Sequence, residues 1–269
     1  MNDIIKNGKE VIRIKAAAVA DLQHSINQDF VNAVETIFTS NGRVVFTGMG
    51  KSGLIARKIV ATLNSTGTAA IYLHPTDALH GDLGMVRSDD VVILISKSGE
   101  TEEISNLLPL LKRLNVKLIA MSSNKDSKLV RECDIFLKVS VKEEACPYDL
   151  APTASTTATL ALGDALAVSL LKKRNFTAKD FAFLHPGGSL GKRLSLKIKE
   201  VMITGDLIPK VNKDTSIKDV IFEITSKRLG TTCVLDESGN LAGIITDGDL
   251  RRLLEKTLDI TGLYAKDVM

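Results

Sequence analysis

The chain has no tryptophan, and phenylalanine and tyrosine bring its aromatic content to only 4% of 269 residues. Proteins that hold nucleic acid by base stacking need aromatic platforms along a basic groove. Here the net charge is only +3, and no basic stripe interleaved with aromatics occurs. Nucleic acid is therefore not expected as a partner. Three cysteines, Cys133, Cys146 and Cys233, are too few and too scattered for a disulfide framework or a zinc cluster, and read as free thiols of a reducing cytoplasm. No apolar run approaches the roughly 20 residues that span a bilayer. The start, Met1-Asn2-Asp3-Ile4-Ile5-Lys6, lacks the basic region and long apolar core of a secretion signal. Neither membrane insertion nor export is expected. What is present, 44% hydrophobic and 25% charged residues, suits one large or two modest globular domains.

Two short loops stand out against this background. Gly48-Met49-Gly50-Lys51-Ser52-Gly53 follows Val44-Val45-Phe46, and Ser96-Lys97-Ser98-Gly99-Glu100-Thr101 follows Val91-Val92-Ile93-Leu94-Ile95. Each precedes a segment of helical periodicity. That is the strand–loop–helix grammar of an open parallel sheet, whose ligand crevice lies at the carboxyl ends of the strands. Glycines allow close backbone approach, hydroxyls and a lysine offer donors, and helix amino ends attract anions. Two nucleotide readings fail on missing partners. Gly48, Gly50 and Gly53 fit a dinucleotide fingerprint, but the second strand, Ala69–Leu73, ends in His74-Pro75 with no carboxylate for a ribose. Gly50-Lys51-Ser52 mimics a P-loop, but Val45 stands where that motif needs its first glycine.

Residues 4–40 read as one or two helices, and strands and helices then alternate. Strands are expected at Val44–Thr47, Ala69–Leu73, Val91–Ile95, Leu118–Met121 and Ile135–Val139. Helices are expected at Leu54–Asn64, Glu102–Leu114, Ser127–Glu132 and Thr153–Lys172. The pattern predicts an α/β fold: a five-stranded parallel sheet in an α-β-α sandwich of flavodoxin-like type. Phe183-Leu184-His185-Pro186-Gly187-Gly188-Ser189-Leu190-Gly191 reads as a closing turn. A boundary is placed at residues 195/196, with a smaller α/β unit beyond it. In that unit Lys199-Glu200-Val201-Met202 recurs as Lys266-Asp267-Val268-Met269, the mark of a tandem repeat whose second copy begins at the end of the chain.

Taken together, the GMGKSG and SKSGET loops resemble the sugar isomerase (SIS) domain. Val201-Met202 with Gly243-Ile244-Ile245-Thr246-Asp247-Gly248-Asp249 resembles a CBS motif, followed by the first residues of a second. With His74-Pro75, Gly81-Asp82-Leu83-Gly84 and His185-Pro186-Gly187-Gly188 between these landmarks, nearly the whole chain resembles the bacterial D-arabinose 5-phosphate isomerase family. The resemblance implies interconversion of D-ribulose 5-phosphate and D-arabinose 5-phosphate, for Kdo synthesis in lipopolysaccharide or capsule, by a cytoplasmic homotetramer. A sugar phosphate is then the small-molecule partner, and no cofactor is required. Two alternatives stay open: a non-catalytic SIS module that senses a sugar phosphate, and an isomerase of another sugar phosphate.

Such an isomerisation must hold the phosphate, move a proton between C1 and C2, and stabilise the enediolate. Ser52, Ser96, Ser98 and Thr101 form the expected phosphate cradle, although Ser98 and Thr101 also suit capping of the following helix. Lys51, between glycines, suits phosphate binding or enediolate stabilisation, and the resemblance places a catalytic lysine there. Glu103, in the first turn after SKSGET, and Glu144, after the last strand, align with the family's catalytic glutamates; their residue-level alternative is plain surface charge. His185 precedes a tight Pro-Gly-Gly turn and is catalytic in the family, for ring opening or proton transfer. His74 and His80 are expected at the same sheet edge, where the resemblance implies contact with substrate hydroxyls or an inhibitory zinc ion, the latter assigned to His74; His24 reads as surface. In the CBS-like part Thr246 and Asp249 match nucleotide-contacting positions, or else belong to a remnant that binds nothing.

Overall fold

A computed structural model of the chain describes residues 2–187, 191, 197–257 and 259–269. The expected closing turn falls partly outside them, at Gly188, Ser189 and Leu190. The chain divides into two compact units, Met1–Ser195 and Leu196–Met269.

The first unit opens with helices α1 (Asn2–Asp21) and α2 (Gln28–Thr39), joined by a short 3-10 turn. Asn27 ends the turn and caps α2, its side chain accepting from the amides of Asp29 and Phe30. Then follow β1 (Val44–Gly48), α3 (Gly50–Ser65), β2 (Ala70–Leu73), α4 (Pro75–Leu79), β3 (Val91–Ile95), α5 (Glu102–Arg113), β4 (Lys117–Ser122), α6 (Lys128–Glu132), β5 (Ile135–Lys138), α7 (Ala154–Lys173) and α8 (Ala178–Leu184). The five strands lie in the order β2-β1-β3-β4-β5, and every pairing is parallel. Because helices cover both faces, the strands are apolar at successive positions rather than alternating. Val44, Phe46, Ile93 and Ile95 join one buried cluster with residues of α2, α3 and α7. Val45, Val92 and Leu94 join the other, with Ile104, Leu107, Leu108 and Leu111 of α5. The α/β sandwich read from the alternation of runs is the fold observed.

Helix α7 qualifies the expectation about apolar runs. By length and composition it could cross a membrane. Its Ala158, Leu162, Leu166 and Leu170 are instead buried against the sheet and its neighbouring helices, as in the core helix of a folded domain. Two small elements have no clear signal in the sequence. Helix α8 precedes the expected closing turn and overlaps only its first two residues, Phe183 and Leu184, and its capping box between Thr177 and Asp180 fixes its start. Helix α4 begins at a proline in its first turn, a position that loses no helical hydrogen bond.

The second unit contains α9 (Ile198–Val201), β6 (Lys210–Asn212), α10 (Ile217–Lys227), β7 (Thr231–Leu235), β8 (Leu241–Thr246) and α11 (Asp247–Lys256). Its sheet runs β6-β7-β8, with β6 parallel and β8 antiparallel to β7. Ile217, Val220 and Ile224 of α10 pack with Val234 and Ile245 in a core of their own. Both copies of the Lys-acid-Val-Met repeat fall on helical turns, at α9 and at Ala265–Asp267.

Candidate active site

Strand order fixes where the first unit can hold a ligand. From β1 the chain crosses through α3 to β2 on one side, and from β3 through α5 to β4 on the other. The switch point therefore lies between β1 and β3, where a crevice opens beyond the strand ends. The register brings Gly48 beside Ile95, so the two loops leave the sheet about 4.8 Å apart, one strand spacing. Close approach sets their composition. The Tyr72 hydroxyl donates to the Gly48 carbonyl at 2.7 Å. A Cβ on Gly53 would fall 2.5 Å from that hydroxyl and 2.6 Å from the Gly48 oxygen. Ser52 faces the resulting groove with Lys97, Ser122, Ser123, Ser155 and Thr156.

The second loop is fastened internally. The hydroxyls of Ser96 and Thr101 share a hydrogen bond of 2.8 Å, and the Gly99 amide donates to Ser96 Oγ at 3.0 Å. Thr101 occupies the position before α5 but makes no side-chain cap bond, and Ser98 Oγ accepts from the Glu100 amide at 3.2 Å. The helix-capping alternative for these two hydroxyls is thus not what the structure uses. Gly99 has φ +73°, and a Cβ there would lie 2.1 Å from Ser127 Oγ. No other residue fits this turn without moving the cap of α6, since Ser127 Oγ accepts from the Val130 amide.

Lys51 is exposed in the first turn of α3. A cation at a helix amino end opposes the helix dipole, and among the described residues Lys51 has no ion-pair or hydrogen-bond partner. It is next in the chain to Ser52, which lines the groove. Glu103 sits half-buried in the first turn of α5 and is likewise unpaired among the described residues. His74 ends β2 and His80 follows α4, both on the strand-end side. His74 Nδ1 is buried without a hydrogen-bond partner and lies 3.9 Å from Asp77 Oδ1. Among the described residues no three His, Cys, Asp or Glu side chains cluster as metal ligands.

Glu144 is placed very differently from a surface acid. It is 4% exposed, and its carboxylate accepts hydrogen bonds at both oxygens. Lys97 Nζ donates to Oε1 at 2.8 Å. The amides of Thr153 and Ser155 donate to Oε2 at 2.8 and 3.1 Å, with Thr153 Oγ1 at 3.3 Å. Burial pushes the carboxyl pKa up, but Lys97 together with Ser155 and Thr153 outweighs it and holds the group at about 2. These donors hold the carboxylate ionised.

His185 departs furthest from the single crevice the sequence suggests. It ends α8, with Nδ1 2.8 Å from the Phe181 carbonyl oxygen and Nε2 3.3 Å from Ser65 Oγ, its ring stacked on Phe181. Ser65 is the last residue of α3, the helix that begins at the Gly48–Gly53 loop. At 1.5 Å per residue, Ser65 is about 21 Å along that helix from Lys51. Within one chain, then, His185 stands at the opposite end of the sheet from the loops.

In the second unit, Thr246 caps α11. Its hydroxyl and amide both donate to Asp249 Oδ2, and it accepts from the Asp249 amide. Arg252 Nη2 donates to Asp249 Oδ1 at 2.5 Å. The pair expected at a nucleotide is occupied with its own helix turn.

Comparison with known proteins agrees with this geometry. The SIS domain family model matches residues 37–169, and the CBS domain model residues 198–256. The chain is 52% identical over 267 residues to the arabinose 5-phosphate isomerase KdsD of Escherichia coli K12, a match that covers 99% of this chain and 81% of the relative. It belongs to the arabinose 5-phosphate isomerase family. The family's Pseudomonas aeruginosa member is 51% identical, with 99% of this chain and 82% of that one covered. Among solved structures, the Escherichia coli CFT073 protein c3406 in complex with arabinose 5-phosphate is 44% identical. It covers 69% of this chain and 98% of its own, with a TM-score of 0.67. One groove residue, Lys97, is legible in the sequence only as the lysine donor that its loop offers and is not singled out there. Lys97 stands in a loop where hydroxyls and glycines carry the phosphate signal. Its only mark is a long cation inside a turn otherwise made of small residues.

Proposed function

We propose that the protein is an aldose–ketose isomerase that interconverts D-ribulose 5-phosphate and D-arabinose 5-phosphate. The observation that carries this reading is the adjacency of the two Gly/Ser loops at the β1/β3 switch point, with Lys51, unpaired among the described residues, next in the chain to Ser52 of the groove. Backbone amides and the Ser52 and Ser98 hydroxyls receive the phosphate, while Ser96 and Thr101 hold the loop in shape. Lys51 offsets charge that develops on the enediolate oxygen. Glu103, free and half-buried beside the loop, moves the proton between C1 and C2, and His74 and His80 meet sugar hydroxyls. These tasks need positioned acids, bases and cations, and side chains supply all three.

His185 enters this scheme from a neighbouring subunit. An imidazole about 21 Å along α3 from Lys51 serves a crevice only when another copy of the chain delivers it. We accordingly assign a homo-oligomer with sites shared between subunits; that it is a tetramer, and cytoplasmic, is what the family resemblance implies. The test is to incubate the purified protein with ribulose 5-phosphate and identify the product, with glucose 6-phosphate and glucosamine 6-phosphate as controls. Arabinose 5-phosphate formed from the first alone supports the assignment. Product only from a control moves it to another sugar phosphate, and binding without turnover of any of the three marks a sensing module.

A further inference from the structure

Lys97 is held as a ligand-binding cation would be. Its carbonyl accepts from Ser122 Oγ at 3.1 Å, from Ser123 Oγ at 2.7 Å and from the Ser123 amide at 3.2 Å, which fixes the backbone of the turn against the end of β4. Its ammonium donates to Glu144 Oε1 at 2.8 Å. Among the described residues that is its one acceptor, so two of its three N–H donors remain for something else. The pair is also lopsided in exposure: the Lys97 side chain is 41% exposed and that of Glu144 is 0%. The carboxylate is behind, and the ammonium is in the groove with Ser52, Ser155 and Thr156.

A pair of opposite charges would ordinarily cancel towards a ligand, and here the balance is tipped. Glu144 Oε2 is already taken by the first amides of α7, the positive end of a helix of 20 residues. The carboxylate is thus compensated from two sides, and the ammonium keeps net positive character on its open side. A buried partner also fixes a side chain that would otherwise lose rotamer freedom on binding.

We propose that Lys97 contacts the phosphate of the sugar phosphate, and that Glu144 is a positioning residue that holds the Lys97 ammonium in the groove. This rests on the isomerase reading for the identity of the substrate, but not for the anion site itself. The hydroxyls and amides of the two loops are neutral donors. Lys97 adds the charge-assisted bond that a dianion favours most, one strand spacing from the Gly48–Gly53 loop.

The experiment uses the full-length protein with inorganic phosphate as the probe, and binding is measured by calorimetry alongside steady-state kinetics. The variants are Lys97→Met, Lys97→Arg, Glu144→Gln and the Lys97→Met/Glu144→Gln double. Loss of one charge-assisted bond is expected to weaken phosphate binding about tenfold or more in Lys97→Met. KM for ribulose 5-phosphate should rise by a similar factor with kcat within about threefold, as for an interaction made equally in ground and transition states. Lys97→Arg should recover part of the loss. Glu144→Gln should weaken phosphate less than Lys97→Met does and still exchange a C1 proton of ribulose 5-phosphate with solvent deuterium. The double variant should bind no worse than Lys97→Met alone, because Glu144 acts only through Lys97.

Unchanged phosphate affinity in Lys97→Met overturns the proposal; because that variant leaves the buried Glu144 without its cation, its fold is checked by circular dichroism, and the double variant, which removes the stranded charge, carries the same test if the single one does not fold. Additive losses in the double variant, or loss of deuterium exchange in Glu144→Gln at unchanged phosphate affinity, overturn the positioning role. If wild-type protein binds phosphate through Lys97 yet turns over no ribulose 5-phosphate, the anion site stands and the isomerase reading falls.

Discussion

Among the described residues two carboxyls are held at a pKa of about 2, one in each unit: Glu144 beside the large sheet and Asp249 at the start of α11. Their causes differ. The Thr246 hydroxyl and amide lower Asp249, with Arg252 adding to them, so every partner lies within one turn of its own helix. Glu144 is first pushed up by burial and then brought down by Lys97, Ser155 and Thr153, groups from the β3 loop and the start of α7. A depressed carboxyl by itself marks a helix cap as readily as a site. Reach separates the two: Asp249 closes a local turn, whereas Glu144 ties three segments into one groove and leaves an ammonium facing outward.

The comparison can be broken or sharpened by substitution. The largest effect is expected at His185, outside both carboxyl clusters. His185→Ala should cut turnover by about 10³ or more, the scale of lost acid–base catalysis, while circular dichroism stays unchanged. Mixed oligomers of His185→Ala with Lys51→Ala chains should regain part of the activity, since some sites then combine two intact residues. No recovery on mixing would rule out shared sites.

Glu144 comes next. Its pKa is lowered on folding, so it contributes stability that is fully present above about pH 4.5 and is lost as pH falls towards 2. Over that window the contribution is roughly 3 kcal/mol. Urea unfolding of wild type and Glu144→Gln should therefore differ by about that amount at pH 7, and the difference should shrink steadily below pH 4.5. A pH-independent gap would show that the carboxylate is not what these donors stabilise.

Gly99→Ala should cost about 1–3 kcal/mol from left-handed backbone and the displaced Ser127, read as a lower unfolding midpoint with weaker phosphate binding. The smallest change belongs to the second unit. Thr246→Ala removes an N-cap and should lower that unit's stability by about 1 kcal/mol, measured by unfolding at several urea concentrations. A loss several times larger would mean that the Thr246–Asp249 cluster supports more than its own turn.

Most of the fold is legible in the sequence because the parallel strands are unbroken β-branched runs that alternate with helical periodicity; their order is not, and comes from the structure. The elements that escape such a reading have little periodicity. Strand β6, three residues long, is too short for an alternating pattern, and α8 is hidden by the Pro-Gly-Gly beside it. At the site, residue types in the loops point to a phosphate, but side-chain commitments are not written there. Nothing in the spacing of Glu144 shows that it pairs with Lys97, 47 positions earlier. Nor does the chain order reveal that His185 lies beside the far end of the very helix that begins at Lys51. Those facts depend on packing, which brings together residues remote in sequence.

The internal bond between Ser96 and Thr101 has a kinetic side. A loop that already holds its turn does not have to be frozen by the ligand, and each rotamer-rich side chain spared immobilisation is worth about 0.5–1.5 kcal/mol. The entropy of ordering is met once, when the chain folds, and not again at every turnover. With the phosphate seated as proposed, its arrival and release leave the loop's shape unchanged, and the anion seat need not be rebuilt between one substrate and the next.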